Sequence, residues 1–184
     1  MNDLSHAYVA ARAAVPPLQR LPAWLATALE KEFGPQAGTI AALWCARHPQ
    51  VLREDGATSV DARHEEYIDI FELLLEHAPS GDVHSIAIAR WIALSCCGQD
   101  HLWEDLGLPE RPALGALLAH RFPALHAKNV HNLRWKKFFY KQLCDRAEVK
   151  ACRAPSCAVC SEYAGCFEGR SEEHTSELQS HHDL

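Results

Sequence analysis

Four cysteines lie close together near the end of this 184-residue chain. Cys152, Cys157, Cys160 and Cys166 have the spacing C-x4-C-x2-C-x5-C. The central C-x2-C pair lets two thiolates reach one metal or two adjacent irons, and the longer loops on either side can wrap around more than a single ion. Pro155 stiffens the first of these loops. The spacing therefore favours a metal cluster held by the four thiols.

Three kinds of site can use such a set of thiols. A structural zinc site usually pairs two C-x2-4-C knuckles across a longer spacer, which is absent here. Disulfides need an oxidising compartment, and residues 1–15 do not have the pattern of an export signal, so we expect a reducing one. C-x4-C-x2-C opens the plant-type ferredoxin spacing, although there the fourth cysteine is distant. The residues favour an iron–sulfur type cluster and leave zinc and disulfides as alternatives.

Composition and charge narrow the class of protein. With 48% hydrophobic residues the chain can bury a core, and its length predicts one domain. No run approaches the roughly eighteen apolar residues of a membrane span, so we expect a cytoplasmic protein with no membrane partner. The net charge of −6 argues against nucleic acid as a partner, because nucleic-acid binding usually needs a basic surface.

Helix signals are frequent along the body of the chain, and strand signals are weak. The sequence predicts an all-α fold, a single-domain helical bundle over residues 1–150 followed by a cysteine-rich cluster-binding loop over residues 151–169. Helices are predicted over residues 23–33, 39–48, 83–97, 112–122 and 130–147, with a short turn over 101–106. A further helix is predicted from one apolar face, formed by Tyr67, Ile70, Phe71, Leu74 and Leu75. Asp82 and Asn129 are the predicted caps of the fourth and last long helices, and Arg90 is the only charged residue within 83–97, the candidate central helix.

The last predicted helix carries a basic stripe. Arg134, Lys137 and Lys141 lie at i, i+3 and i+7, and therefore on one side of the helix. A solvated face over a packed core is one interpretation of such a stripe. The other is electrostatic: Lys141, Arg146, Lys150 and Arg153 would offset the negative charge of a nearby thiolate cluster. The stripe itself could attract an oxyanion such as molybdate or an acidic partner surface.

Four further cysteines fall on predicted helices, where a free thiol usually packs in the core. They are Cys45, Cys96, Cys97 and Cys144. Cys144 ends the helix that leads into the cysteine segment, so it could also approach the cluster. No histidine pair has metal-ligand spacing beside the cysteines, and His101 is the only histidine that we single out.

Three ordered motifs occupy residues 101–167. The first is His-Leu-Trp-Glu-Asp-Leu-Gly-Leu at 101–108, and the second is Trp-Lys-Lys-Phe-Phe-Tyr-Lys-Gln-Leu-Cys at 135–144. The third is the cysteine segment, which ends in Cys166 and Phe167. Together these motifs resemble the NifQ family of nitrogenase molybdenum donors. One departure is Glu168, which stands before Gly169 where the family tends to have Cys-Phe-Gly.

The resemblance implies a function. It implies that Cys152, Cys157, Cys160 and Cys166 bind a molybdenum–iron–sulfur cluster, and that the protein donates molybdenum to assembly of the nitrogenase iron–molybdenum cofactor. The protein would then be a metal carrier and not an enzyme. Its implied partners are molybdate and the scaffold-type and reductase-type proteins of cofactor assembly.

A second function class stays open beside the carrier. The same four thiols could hold an iron–sulfur cluster in an electron-transfer protein or a redox enzyme. No nucleophile–base pair, Gly-rich phosphate loop or substrate motif is visible in the sequence, which favours the carrier. Molybdenum found together with iron would support the carrier, and iron alone with reversible one-electron chemistry would support the alternative.

The last fifteen residues, 170–184, have no apolar periodicity. Residues 170–180 look like an in-frame translation of a common sequencing-adapter oligonucleotide, so we expect this stretch to be non-native and to contribute nothing to the fold. A natural disordered acidic tail is the alternative interpretation.

Overall fold

Helices form the regular structure of residues 16–49 and 64–146, the part of the chain that the computed structural model describes. The α-helices are α1 (Ala23–Phe33), α2 (Ala37–Arg47), α3 (His64–Leu75), α4 (Val83–Cys96), α5 (Leu102–Asp105), α6 (Arg111–Arg121), α7 (Pro123–Ala127) and α8 (Trp135–Arg146). Two 3-10 turns, Pro17–Arg20 and Gly34–Gln36, stand on either side of α1. No strand occurs within these ranges, which confirms the all-α prediction for them. The predicted cysteine loop and tail lie outside the described residues.

Helix α4 is the centre of the described bundle, as the sequence predicts. The Asp82 side chain caps it by accepting a hydrogen bond from the His84 backbone N–H at 3.0 Å. Ten of its fourteen residues are buried, because α1 and α3 both pack against it and cover most of its surface. Arg90 places its guanidinium 4.5 Å from the centre of the Trp24 ring, where a cation is attracted to the aromatic face.

Large side chains fill the space between the helices. Five aromatic side chains of the core are fully buried among the described residues: Trp44, Trp91, Phe122, Phe138 and Phe139. Each such side chain stabilises the fold by about 1.5–3 kcal/mol through removal of apolar surface from water. Two contacts show how they join distant segments: Trp44 Nε1 donates to Ser95 Oγ at 2.9 Å, and Phe33 packs edge-on to Trp91 with ring centres 5.8 Å apart.

The buried face of α3 differs from the predicted one. Glu66, Ile70, Leu73 and Leu74 are buried, whereas Tyr67, Phe71 and Leu75 are only half-buried. The Tyr67 and Phe71 rings stack on each other, with centres 5.8 Å apart and planes 8° apart. Relative to the predicted orientation, α3 is rotated about its axis because two helices, α4 and α8, pack against it. Hydrophobic periodicity alone does not reveal the second neighbour.

The last long helix begins five residues later than predicted. Asn129 does not cap a helix at Val130, because its side chain closes a loop instead: Oδ1 accepts from the Leu133 N–H at 2.8 Å, and Nδ2 donates to the Leu133 carbonyl at 2.9 Å. Asn132 has a φ of 49°, in the left-handed region, so the backbone cannot continue as a helix there. Helix α8 starts only at Trp135.

The predicted bounds of the helices at 23–33, 39–48, 83–97 and 112–122 agree with the structure to within two residues. Helix α3 ends at Leu75, earlier than the predicted stop at Pro79, and its predicted caps, Thr58 or Ser59, lie outside the described residues. Gly34, with a φ of 50°, ends α1 as predicted. Pro123 ends α6 and also begins the short helix α7, which the sequence did not predict, because proline suits the first turn of a helix. None of the helices in the described ranges is long and apolar enough to span a membrane.

Candidate functional site

The four predicted cluster ligands lie outside the described residues. Cys152, Cys157, Cys160 and Cys166 all follow residue 146, and their role stays a prediction. Within residues 16–49 and 64–146, no three His, Cys, Asp or Glu side chains are grouped as metal ligands would be. The structure does describe helix α8, which leads along the chain to the cysteine segment, and the contacts that hold this helix.

A buried ion pair joins the first two sequence motifs. The Asp105 side chain at the end of α5 is 3% exposed, and its Oδ2 lies 2.5 Å from Lys136 Nζ in the first turn of α8. Lys136 Nζ also donates to the carbonyl of Gly98, just after α4, at 2.9 Å. The beginning of α8 is therefore fastened to two other elements by a single ammonium group.

The surroundings of Asp105 are closely fitted to its carboxylate. A Cβ atom at position 98 would collide with that carboxylate, so any residue other than glycine there would displace the Asp105 side chain. The imidazole of His48 lies on the other side, with Nε2 at 2.8 Å from the Asp105 carbonyl oxygen. A carbonyl can only accept a hydrogen bond, so Nε2 carries the proton and donates it.

Burial shifts the pKa of three groups in and beside this cluster. It raises the pKa of the Asp105 carboxyl, although Lys136 acts in the opposite direction. It lowers the pKa of His48, which keeps the ring neutral and suits a single N–H donated to Asp105. Burial also raises the pKa of Cys96, so this thiol stays protonated in the core. The polar group around Asp105 therefore contains one ion pair, with Lys136, and otherwise neutral side chains. These contacts hold the helices together and serve a structural role.

The residues singled out from the sequence have mixed surroundings. His101 is exposed and stands just before α5, where its backbone N–H donates to the Glu104 carboxylate at 3.2 Å. Lys141 pairs with Asp145 one turn along α8 at 2.5 Å, which offsets its charge within the helix. Of the cysteines expected in the core, Cys96 is fully buried, and three are half-buried: Cys45, Cys97 and Cys144.

A second polar cluster joins α1, α4 and α6. Glu32 Oε2 accepts hydrogen bonds from His84 Nε2 and from Arg121 Nε, both at 2.8 Å. Burial raises the pKa of Glu32, but the bonds from Arg121 and His84 together outweigh it and hold that pKa below its usual value. His84 and Arg121 lie 52 and 89 positions from Glu32 along the chain, so no local sequence pattern could indicate this cluster.

Sequence reasoning also missed the Asp105–Lys136 pair, although a signal was present. Both residues lie inside the two motifs on which the family resemblance depends. Lys136 lies off the basic stripe of α8, and its position on the helix turns it toward the core, where it meets Asp105.

Comparison with known proteins gives one consistent family. The family model described as NifQ matches residues 19–168. Protein NifQ of Azotobacter vinelandii is 45% identical over 116 residues, which cover 63% of this chain and 58% of that protein. A NifQ homolog of Sinorhizobium fredii is 48% identical over 95 residues, covering 52% of this chain and 41% of the homolog. Protein NifQ of Rhodobacter capsulatus is 51% identical over 83 residues, covering 43% and 46% of the two chains. The chain spans about half the length of these relatives, and no solved structure is significantly similar to it.

Proposed function

This chain belongs to the NifQ family, and we propose that it serves nitrogen fixation by donating molybdenum to assembly of the nitrogenase iron–molybdenum cofactor. In this proposal Cys152, Cys157, Cys160 and Cys166 hold a molybdenum–iron–sulfur cluster from which the molybdenum is passed on. The observation that carries the proposal is the family match over residues 19–168, which includes all four cysteines.

The chemistry of the four ligands supports this cargo. Thiolate and sulfide are soft ligands that suit iron and reduced molybdenum, whereas hard cations prefer carboxylate and carbonyl oxygens. Four thiolates also make the site anionic, which favours binding of metal cations. We propose the cytoplasm as the compartment, because reducing conditions keep such thiols available as ligands.

Helix α8 is the last described element before the cysteine segment in the sequence, and the bundle holds it at both ends. Its first turn is held by Lys136 through Asp105 and Gly98. Its last residue, Arg146, makes a bidentate pair with Glu76, just after α3, with N–O distances of 2.9 and 2.5 Å. Sites that must hold a cluster in a defined geometry benefit from rigid supporting elements. The start of α8 is thus fastened by a buried ion pair, and its last residue is joined to Glu76 by an exposed one.

The experiment that tests the proposal follows metal from the protein to the cofactor. The protein is purified without oxygen and loaded with iron, sulfide and molybdate, and its iron and molybdenum contents are measured. The loaded protein is then the only source of molybdenum in a cofactor-synthesis assay. We expect both metals to bind and cofactor to form.

A different result in the same experiment would identify the alternative function. A protein that binds iron, shows reversible one-electron chemistry and never binds or transfers molybdenum would refute the donor proposal. It would leave the electron-transfer or redox role for the same four cysteines.

A further inference from the structure

The loop between α7 and α8 exposes an apolar side chain within a basic stretch of the chain. Val130 is 77% exposed at this loop. No Asp or Glu occurs between Glu110 and Asp145, although acidic residues outnumber basic ones in the whole chain. The stretch contains seven basic residues, Arg111, Arg121, Lys128, Arg134, Lys136, Lys137 and Lys141. The negative charge of the molecule is therefore confined to the rest of the chain.

Side-chain hydrogen bonds hold this loop in one conformation. Arg111 Nη2 donates to the carbonyl and to the side-chain Oδ1 of Asn132, both at 2.8 Å. Asn129 binds both backbone groups of Leu133, as described above. Asn132 keeps its left-handed backbone within this brace, a conformation that residues other than glycine rarely adopt. The segment around Val130 is ordered in advance, which lowers the entropy cost of binding a partner.

Two basic side chains near Val130, Arg111 and Lys128, are bound to neutral groups. Arg111 donates to neutral amide oxygens, and Lys128 Nζ lies 2.8 Å from His77 Nε2. His77 Nδ1 donates to the Leu73 carbonyl at 2.8 Å, which leaves Nε2 as the acceptor for Lys128. Among the described residues, neither Arg111 nor Lys128 meets a carboxylate, so both charges remain available to a partner.

We propose that this docking loop, residues 128–134, binds the protein that receives the cargo, through an acidic surface with a small apolar recess for Val130. The choice of partner rests on the proposed function. A small oxyanion would gain nothing from contact with the apolar Val130 side chain. A long polyanion such as nucleic acid would be repelled by the negative charge elsewhere on the chain. The described residues outside this stretch include more acidic than basic side chains, so they repel an acidic protein, whereas Arg111 and Lys128, which meet no carboxylate among the described residues, attract it.

The test measures how much loaded protein is needed for half-maximal cofactor synthesis. Val130→Ser should raise that concentration about tenfold, as for loss of an anchoring side chain, while the maximal rate and the metal content stay unchanged. Val83→Ser is the matched control, because Val83 is 78% exposed but lies at the start of α4, outside the basic stretch. It should leave the concentration unchanged. Equal melting temperatures for the two variants will show that both are folded.

A charge reversal tests the electrostatic part separately. Lys128→Glu should also raise the half-saturating concentration, and more strongly at low salt than at high salt, because salt screens exposed charges. Lys31→Glu changes an exposed lysine of α1 by the same charge and should have little effect. No salt-dependent difference between the two reversals would overturn the electrostatic part.

The outcomes separate the docking loop from the proposed function. Normal donation by the unmodified protein, with Val130→Ser behaving like Val83→Ser, overturns the docking loop alone. Self-association of the unmodified protein in sedimentation, abolished by Val130→Ser, would make a second copy of the chain the occupant and also overturn it. Failure of the unmodified, loaded protein to donate molybdenum overturns the proposed function and, with it, the chosen partner.

Discussion

Replacing Lys136 by Met should destabilise the bundle, because it leaves a buried carboxylate without its cation. The side chain of Asp105 is 3% exposed and that of Lys136 is 15% exposed, so water can replace little of the lost interaction. Methionine keeps much of the length and apolar stem of lysine while it removes the charge. The variant therefore removes the two polar contacts of the ammonium group, with Asp105 and with the Gly98 carbonyl, and largely keeps the packing around it.

Two estimates of the cost agree. Breaking a buried ion pair by removal of one partner typically costs about 3–5 kcal/mol. Asp105 can instead avoid the charge by taking up a proton, which at about pH 7 costs about 4 kcal/mol for a carboxyl whose pKa in the unfolded chain is about 3.9. At about 2–4 °C per kcal/mol for a chain of this length, Tm should fall by roughly 6–20 °C.

Proton uptake also makes the loss depend on pH. Without Lys136 the pKa of Asp105 in the folded variant lies well above its unfolded value, so between the two values the folded state binds more protons than the unfolded state. The stability of the variant must then fall as pH rises through this range and recover as pH falls, by about 1.4 kcal/mol per pH unit. Urea denaturation followed by circular dichroism, at a series of pH values and relative to the unmodified protein, measures this slope.

A second substitution serves as the control. Asp105→Asn in the Lys136→Met background removes the buried charge, so it should restore part of the stability at neutral pH and abolish the extra pH dependence. A loss below about 1 kcal/mol for Lys136→Met, which is the range of exposed ion pairs, would refute the buried pair as a fastening. So would a loss that does not change with pH.

Three further predictions concern other positions. Gly98→Ala should lower the free energy of unfolding by about 1–3 kcal/mol, because the new methyl group collides with the Asp105 carboxylate. Gly115→Ala, in the middle of α6 with open space around it, should raise the free energy of unfolding by about 0.5–1 kcal/mol. Urea denaturation of both variants measures the difference. Because burial lowers the pKa of His48, its contribution is present above the unfolded pKa of about 6.5 and is lost as pH falls through the folded pKa. The unmodified protein should therefore lose stability more steeply than His48→Gln below about pH 6.5, and parallel curves would contradict this. Cys157→Ser should lose most of the iron in metal analysis while Cys45→Ser retains it, and equal loss would show that the ligands are misassigned.

Local signals in the sequence predicted most of the helices because helix ends are determined by nearby residues. Gly34 ends α1 through its own backbone conformation, and Asp82 caps α4 by a bond to a residue two positions away. The start of α8 was predicted wrongly for a complementary reason. Asn129 does bind a backbone N–H, as a cap would, but Arg111, from 21 positions before Asn132, stabilises a loop there instead. The contact between Arg111 and Asn132 that determines this loop is tertiary, so no pattern of neighbouring residues indicates it.

The polar contacts were the least predictable part of the molecule. Asp105 and Lys136 are 31 positions apart, and Glu32 and Arg121 are 89 apart, so their pairing depends on how the helices pack. The sequence did single out the segments that contain Asp105 and Lys136 as motifs, yet it gave their residues no role. The proposed cluster ligands are the converse case, since spacing alone indicates their chemistry while their geometry lies outside the described residues.

The pairing of Asp105 with Lys136 changes what the first two motifs imply. Motifs that precede a cysteine segment could be taken as parts of a metal site, but here a side chain from each is used to fasten α8 to the bundle. Stability and cluster retention can then be separated: loss of Lys136 should weaken the bundle first and the cluster only as α8 loosens, whereas loss of Cys157 should empty the proposed site and leave the melting of the metal-free protein unchanged. If Lys136→Met removed iron at temperatures well below its melting transition, the ion pair would have to act on the cysteine segment directly, and the two motifs would belong to the metal site after all.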